Sequence, residues 1–388
     1  MKAAVIHGPG KVTCDTVDDP ILKEDRDIIL KVTATAICGS DLHIYSGGIP
    51  QPRPMVLGHE FMGIVEETGK AVSNLKKGDR VVVPFPIACG NCFFCNMQIP
   101  VNCEHSNPNY GPEGGLMKQK GGAFFGYTDL YGGYDGGQAQ YVRVPYADHG
   151  PRKVPDNLTD EQLLFLTDIF PTGYTGVDWA EIKGGESVAI FGAGPVGIMA
   201  AKAARLRGAG NVFIIDTLQY RLDMASLAAD VHTILWKEAD DVVNEIRSHT
   251  DGRGTDVCIE AVGFEPDRNL LDRAKAVINF EKGSTKVLEA CLSAVRRSGT
   301  VSVLGVYPVS YDNFPLGQLF DKGIKLRGGQ APVHKYIDEL LGYVEQGKVK
   351  LDDIITHRLP LTQIADGYSM FKKKEDNCVK VVLDPWAV

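Results

Sequence analysis

The sequence predicts an α/β protein in two domains: a β-rich domain assembled from both chain ends, and a doubly wound parallel sheet inserted between them. Three observations predict this. Short apolar or β-branched runs dominate the first part of the chain. Near Leu163 the pattern changes to strand runs alternating with helical ones, and the last part returns to the mixed character of the first. With 388 residues the chain has material for two separate cores. The expected boundaries assign 1–169 and 327–388 to the β-rich domain and 170–326 to the inserted one.

Element by element, Lys2–His7, Ile28–Ala36, Met62–Thr68 and Arg80–Pro84 read as strands, separated by Gly, Pro and Asp signals. From Glu104 to Gly137 the pattern dissolves into a Gly- and Tyr-rich stretch. A loop of that length is usually functional or disordered, and its Tyr110, Phe124, Phe125 and Tyr127 are candidates to wall a cleft. Then come strand Ser187–Phe191, helix Val196–Leu206, strand Asn211–Asp216, helix Arg221–Ala228, strand Thr233–Leu235, helix Asp241–His249 and strands Val257–Glu260 and Thr300–Val306. Such alternation implies a parallel sheet covered on both faces. Strands near Ile354–His357 and Val379–Leu383 complete the tail, and there is no internal repeat or low-complexity tract.

The formal net charge of -8 argues against a nucleic-acid or anionic-membrane partner, since both attract basic stripes. The opening MKAAVIHG has no long apolar run, so no signal peptide is expected and the expected compartment is the cytoplasm. The most apolar stretch, Ser187–Leu206, is broken by Gly, Pro and Lys and does not suit a membrane span. Of nine cysteines, Cys14, Cys258, Cys291 and Cys378 lie in apolar surroundings and read as buried free thiols.

The other five carry chemistry. Cys89-x2-Cys92-x2-Cys95-x7-Cys103 can close a tetrahedron round Zn²⁺ with no open position, which makes a structural site over about 88–104; two disulfides or free thiols are the alternative, the disulfides disfavoured in a reducing compartment. Cys38-Gly39-Ser40-Asp41-Leu42-His43 and Gly58-His59-Glu60 form a second metal candidate, because a catalytic zinc takes three protein ligands and keeps one position open. Gly192-Ala193-Gly194-Pro195-Val196-Gly197 follows a strand and opens a helix. There the glycines permit a tight turn and close approach to a pyrophosphate, and the helix N-terminus (Pro195, Val196) supplies amides to it. Asp216 ends the next strand, where an acid accepts hydrogen bonds from the adenosine ribose and repels a 2′-phosphate, favouring NAD over NADP. Arg221 could meet such a phosphate; the favoured role is to start a helix with a charge pair.

Gly58-His59-Glu60-x2-Gly63-x5-Gly69-x2-Val72 resembles the signature of the zinc-dependent medium-chain alcohol dehydrogenases, and the order of the other motifs agrees with that family over essentially the whole chain. Cys38-Gly39-Ser40-Asp41 and Thr167-Asp168-Ile169-Phe170-Pro171-Thr172-Gly173-Tyr174 resemble its glutathione-independent formaldehyde dehydrogenase branch. The resemblance implies a GroES-like catalytic domain and a Rossmann NAD-binding domain. It implies two Zn²⁺ per chain and NAD as cofactors, with Cys38, His59 and Asp168 as ligands of the catalytic zinc. Asp168 stands where animal alcohol dehydrogenases have cysteine; a turn or helix cap is its alternative role. Glu60 would approach the metal from behind, Asp41 would orient the histidine ligand, and Ser40 and His43 would relay a proton, His43 otherwise being a surface histidine. Thr172 would touch the nicotinamide, and Val306 is a further cofactor-binding candidate.

The implied activity is hydride transfer between NAD and a small alcohol or aldehyde hydrate of the formaldehyde type. A secondary-alcohol or polyol dehydrogenase is the alternative. A zinc- and NAD-binding protein without turnover is disfavoured by the intact set Cys38, Ser40, His43, His59 and Asp168. Relatives are dimers or tetramers, so a homo-oligomer is expected. The insert Phe264–Thr285 places Leu270, Ala274, Val277 and Ile278 on one face of a helix. The resemblance implies that it slows cofactor release; a surface helix or subunit contact is the alternative.

Overall fold

The computed structural model describes residues 1–109, 121–237, 239–263, 286–307 and 314–387. The insert 264–285 and Tyr110 lie outside the described residues. The chain divides into two compact units, Met1–Pro171 with Pro332–Val388, and Thr172–Ala331. No described helix is long and apolar enough to cross a membrane.

In the two-ended unit, the ten-residue strand Ile28–Ile37 is the axis. Its β-branched, mostly buried residues pair antiparallel with Glu60–Thr68 on one side and with Val381–Asp384, from the other chain end, on the other. The described sheet runs Arg152–Lys153, Arg80–Val83, Glu60–Thr68, Ile28–Ile37, Val381–Asp384, His357–Pro360, with Tyr141–Val144 also pairing with Ile28–Ile37. Two register shifts against Glu60–Thr68 bend the pair near Gly63, where any side chain would collide with the Lys31 carbonyl. Ala36 lies opposite Glu60. The chain leaving one strand at Cys38 and the chain entering the next at His59 therefore meet at the same end of the sheet.

In the other unit, the six described strands are all parallel, in the order His232–Leu235, Val212–Asp216, Val188–Phe191, Thr255–Glu260, Val295–Val303, Lys325–Gly328. Val188–Phe191 is buried at every position, as a central strand covered on both faces must be. Helices Pro195–Leu206, Gln219–Ala228, Ala239–Ser248 and Lys286–Ala294 connect or flank the strands. The direction of strand progression reverses beside Val188–Phe191, which is where dinucleotides bind in such sheets.

Three expectations need correction. The strand expected at Ile354–His357 lies at His357–Pro360, because Asp352–Ile354 form a 3₁₀ turn instead. The strand expected at Thr300–Val306 runs from Val295 to Val303, and the chain turns at Gly305, leaving Val306 beyond it. Lys325–Gly328 is a strand of the parallel sheet although every residue is exposed; the expected boundary at 326 would have cut through it.

Candidate active site

The Ile28–Ile37 strand ends at Cys38, and a turn through Gly39 and Ser40 opens the short helix Asp41–Tyr45. Asp41 Oδ2 accepts a hydrogen bond from the Cys38 amide at 3.0 Å, which locks the turn. Gly58 adopts φ 102 beneath Gln138, whose side chain occupies the space a Cβ would need, so the bend before His59 demands glycine twice over. Asp168 follows the 3₁₀ turn Phe165–Thr167.

These three residues converge. The ligating atoms of Cys38, His59 and Asp168 lie within 4.8 Å of one another, and all three are buried. Cys38 Sγ is 3.4 Å from Asp168 Oδ2, and His59 Nε2 is 3.2 Å from the same oxygen. Tetrahedral edges round zinc run roughly 3.4–3.8 Å for such donors. Burial, then the charges of Glu60 and Asp168, push the Cys38 thiol up to about 11. Against burial, Asp41 and Cys38 hold His59 well above the usual imidazole range. The cluster carries an excess of negative donors that a dication would neutralise, so the donor set fits zinc.

The surrounding groups fix its geometry. Asp41 Oδ1 lies 3.0 Å from His59 Nδ1, out of line for a hydrogen bond, while Ser40 Oγ lies 3.1 Å from Nε2 on the ligand side of the ring. Gln138 Nε2 donates to Asp41 Oδ2 at 3.3 Å and to the Ala36 carbonyl at 3.0 Å, and Tyr368 donates to Gln138 Oε1 at 2.9 Å. Glu60 is wholly buried and pairs at 2.5 Å with Lys380, also wholly buried, which donates to the Ile37 carbonyl as well. Burial raises Glu60 above the usual carboxylate range against the pull of Lys380. Sequence reasoning missed Lys380, Gln138 and Tyr368. A lysine inside the apolar run Cys378–Leu383 was the one available signal.

In the cysteine lobe, Cys89, Cys92, Cys95 and Cys103 are all buried with sulfurs within 4.8 Å of one another. Cys92 lies 3.5 Å from Cys95 and 3.9 Å from Cys103, close to the edge of about 3.8 Å that a tetrahedral zinc–thiolate site requires. No disulfide forms, so the alternative pairing is not adopted.

In the parallel-sheet unit, Gly192 takes φ 104, and a side chain at Gly197 would collide with the Gly192 carbonyl, so helix Pro195–Leu206 packs directly on the turn. Nothing stands within 4 Å of the Cβ position at Gly194, which leaves the helix N-terminus open. Asp216 Oδ2 accepts from the Ala193 amide at 2.8 Å and Oδ1 from the Leu218 amide at 3.0 Å, tying the strand end to the turn.

Comparison with known proteins places the chain in a family. Residues 24–156 match the alcohol dehydrogenase GroES-like domain, and 195–278 match the zinc-binding dehydrogenase family. An uncharacterized zinc-type alcohol dehydrogenase-like protein of Bacillus subtilis is 42% identical over 99% of this chain and 100% of its own length. The chain belongs to the zinc-dependent medium-chain alcohol dehydrogenases. A glutathione-independent formaldehyde dehydrogenase of Pseudomonas aeruginosa is 33% identical over 99% of this chain and 97% of its own. Among solved structures, an alcohol dehydrogenase from Thermus sp. ATN1 superposes with TM-score 0.84 at 36% identity, covering 99% of each chain. A zinc-binding dehydrogenase from Sinorhizobium meliloti bound to NADP superposes with TM-score 0.79 at 26% identity, again over 99% of each. The two units are accordingly a GroES-like domain and a Rossmann-type sheet.

The remaining expected residues of this dehydrogenase fall as follows. His43 is half-buried on helix Asp41–Tyr45, two residues beyond Asp41. Thr172 lies on helix Ile169–Trp179. The Val306 backbone lies against Gly263, beyond the strand. Arg221 Nη1 stands 3.8 Å from Asp216 Oδ2, the expected charge pair. Phe124, Phe125 and Tyr127 are buried in the two-ended unit, with the Tyr127 ring against His59.

Proposed function

We propose that this dehydrogenase transfers hydride between NAD and small alcohols or aldehyde hydrates of the formaldehyde type, at a zinc ion held by Cys38, His59 and Asp168. The observation that carries the reading is a buried three-donor set, with Ser40 beside it, in a chain that also holds a separate four-cysteine set. Bound zinc supplies Lewis acidity toward a substrate oxygen, and NAD accepts the hydride. The chain's own residues do the rest. Ser40 takes the substrate hydroxyl's proton, and His43 delivers it towards solvent at near-neutral pH. Asp41, steadied by Gln138 and Tyr368, fixes the His59 ring so that Nε2 faces the other two donors. Lys380 neutralises Glu60, which would otherwise stand as an uncompensated charge behind the ligands. In the Rossmann-type domain, the amides after Gly192 bind the pyrophosphate and Asp216 accepts from the adenosine ribose.

Asp168 and the likeness to formaldehyde dehydrogenase support the aldehyde-hydrate side. A geminal diol is chemically an alcohol, so its oxidation needs no additional catalytic group. The deciding experiment measures zinc and NAD(H) on one purified sample and then assays formaldehyde, primary alcohols and polyols with NAD and with NADP. Two zinc per chain and turnover of the smallest substrates with NAD are expected. Inactivity on one- and two-carbon substrates together with polyol turnover would replace the reading with a polyol dehydrogenase.

A further inference from the structure

The Tyr127 hydroxyl is a buried polar group close to the ligand cluster that the site described above does not use. The residue is 5% exposed, and its oxygen is buried without a hydrogen-bond partner among the described residues. A buried hydroxyl left unpaired costs folding free energy, and a strained contact, a catalytic role or a bound ligand or water can account for one. Its position is over-determined. Gly126, at φ 52, packs on the Gly58 backbone and donates its amide to the Tyr134 carbonyl at 2.9 Å, while Phe125 donates to the Phe85 carbonyl at 3.3 Å. The Tyr127 ring then stands edge-on to His59, centroids 5.8 Å apart at 90°, and Phe85 flanks the same imidazole at 6.1 Å. Phe124 packs on Phe85 at 5.1 Å and stacks on Tyr131 at 4.5 Å, and both Phe124 and Tyr131 lie against the Tyr127 ring, at 6.2 and 5.5 Å, in one aromatic cluster.

An alcohol brings one hydroxyl to such a site, and an aldehyde hydrate brings two on the same carbon. One enters the reaction. The other loses its water and, beside an aromatic cluster, needs a partner. We propose that the Tyr127 hydroxyl donates a hydrogen bond to that second hydroxyl, making Tyr127 the residue that selects aldehyde hydrates over alcohols. The inference rests on the oxidoreductase reading above. In the step it serves, one hydroxyl of the hydrate gives up its proton and the C–H electron pair leaves as hydride to NAD. The second hydroxyl stays on carbon as the OH of the acid product; Tyr127 exchanges no proton.

The test uses two poor hydride donors that differ by one hydroxyl, trifluoroethanol and trifluoroacetaldehyde hydrate. Both are titrated calorimetrically into the zinc- and NAD-loaded protein and its Tyr127→Phe variant. Wild type is expected to bind the hydrate about five- to tenfold more tightly than the alcohol, and the variant to bind the two alike. The ratio of formaldehyde to ethanol kcat/KM is expected to fall by a similar factor. A preference that survives in Tyr127→Phe, or an equal weakening of both ligands, overturns the inference. Tyr127→Met provides a second variant should Phe misfold. Absence of turnover by wild type would refute the oxidoreductase reading alone, because the pair of affinities still decides the role of Tyr127.

Discussion

Lys380 is a charged side chain with no exposed surface, held by one carboxylate and one carbonyl. Removing one partner of such a pair strands the other charge in a low-dielectric interior, which costs about 3–5 kcal/mol. Lys380→Met should therefore lower unfolding free energy in urea by about that amount, and adding Glu60→Gln should restore part of it; additive losses would contradict the pairing. Cys38→Ala should fold, lose one of two zinc ions by metal analysis and lose turnover; retained turnover would remove Cys38 from the chemistry. These two residues also differ in legibility. Cys38 stands in a dense local string with Ser40, Asp41 and His43, and resemblance supplied Asp168 as its distant companion. The partner of Lys380 lies 320 residues away, so its role leaves no local spacing to read. Gln138 and Tyr368, polar residues in unremarkable runs, have the same difficulty at a separation of 230.

At the scale of elements, helix Val333–Glu345 carries the best test of an electrostatic feature. Its His334 stacks on His149, centroids 4.9 Å apart at 13°, and neither of its ring nitrogens has a hydrogen-bond partner among the described residues. Burial, then His149 and Arg152, hold His334 well below the usual imidazole range, and burial and Arg152 lower His149 while Cys103 opposes. The unfolded chain takes up protons below about pH 6.5 that the folded chain refuses, so stability is complete above that pH and is lost as pH falls. The melting temperature should hold between about pH 8 and 7 and drop below about 6.5, with a smaller drop in His334→Phe. An identical pH profile in the variant would assign the loss elsewhere. Most strands of both units were legible because their apolar or β-branched runs survive in the structure. Lys325–Gly328 was not, since an edge strand without a buried face leaves no hydrophobic pattern, and Asp352–Ile354 was misread because its apolar neighbours mask a turn.

For the whole molecule, the two-domain plan was readable from the change of period near Leu163, while its boundary was blurred by the unpatterned strand at the sheet edge. On the function proposed above, cofactor choice rests with the Rossmann-type unit, and Asp216 would be its lever. Asp216→Ser should weaken NAD binding by about tenfold or more, the loss of a hydrogen bond to a charged acceptor, and narrow the gap to NADP. Fluorescence titration of both cofactors checks this, and equal weakening of the two would point to damage at the Ala193 turn instead. The strand Val381–Asp384 lies beside Ile28–Ile37, and Tyr368 and Lys380 complete the shells behind Asp41 and Glu60. During synthesis, then, Cys38, His59 and Asp168 all emerge long before the residues that steady them. The four-cysteine lobe is the opposite case, since its ligands lie within one short segment and can close as soon as Cys103 appears. On the proposed reading, a nascent chain could capture one metal early, whereas the other site would be steadied only once the final strand leaves the ribosome.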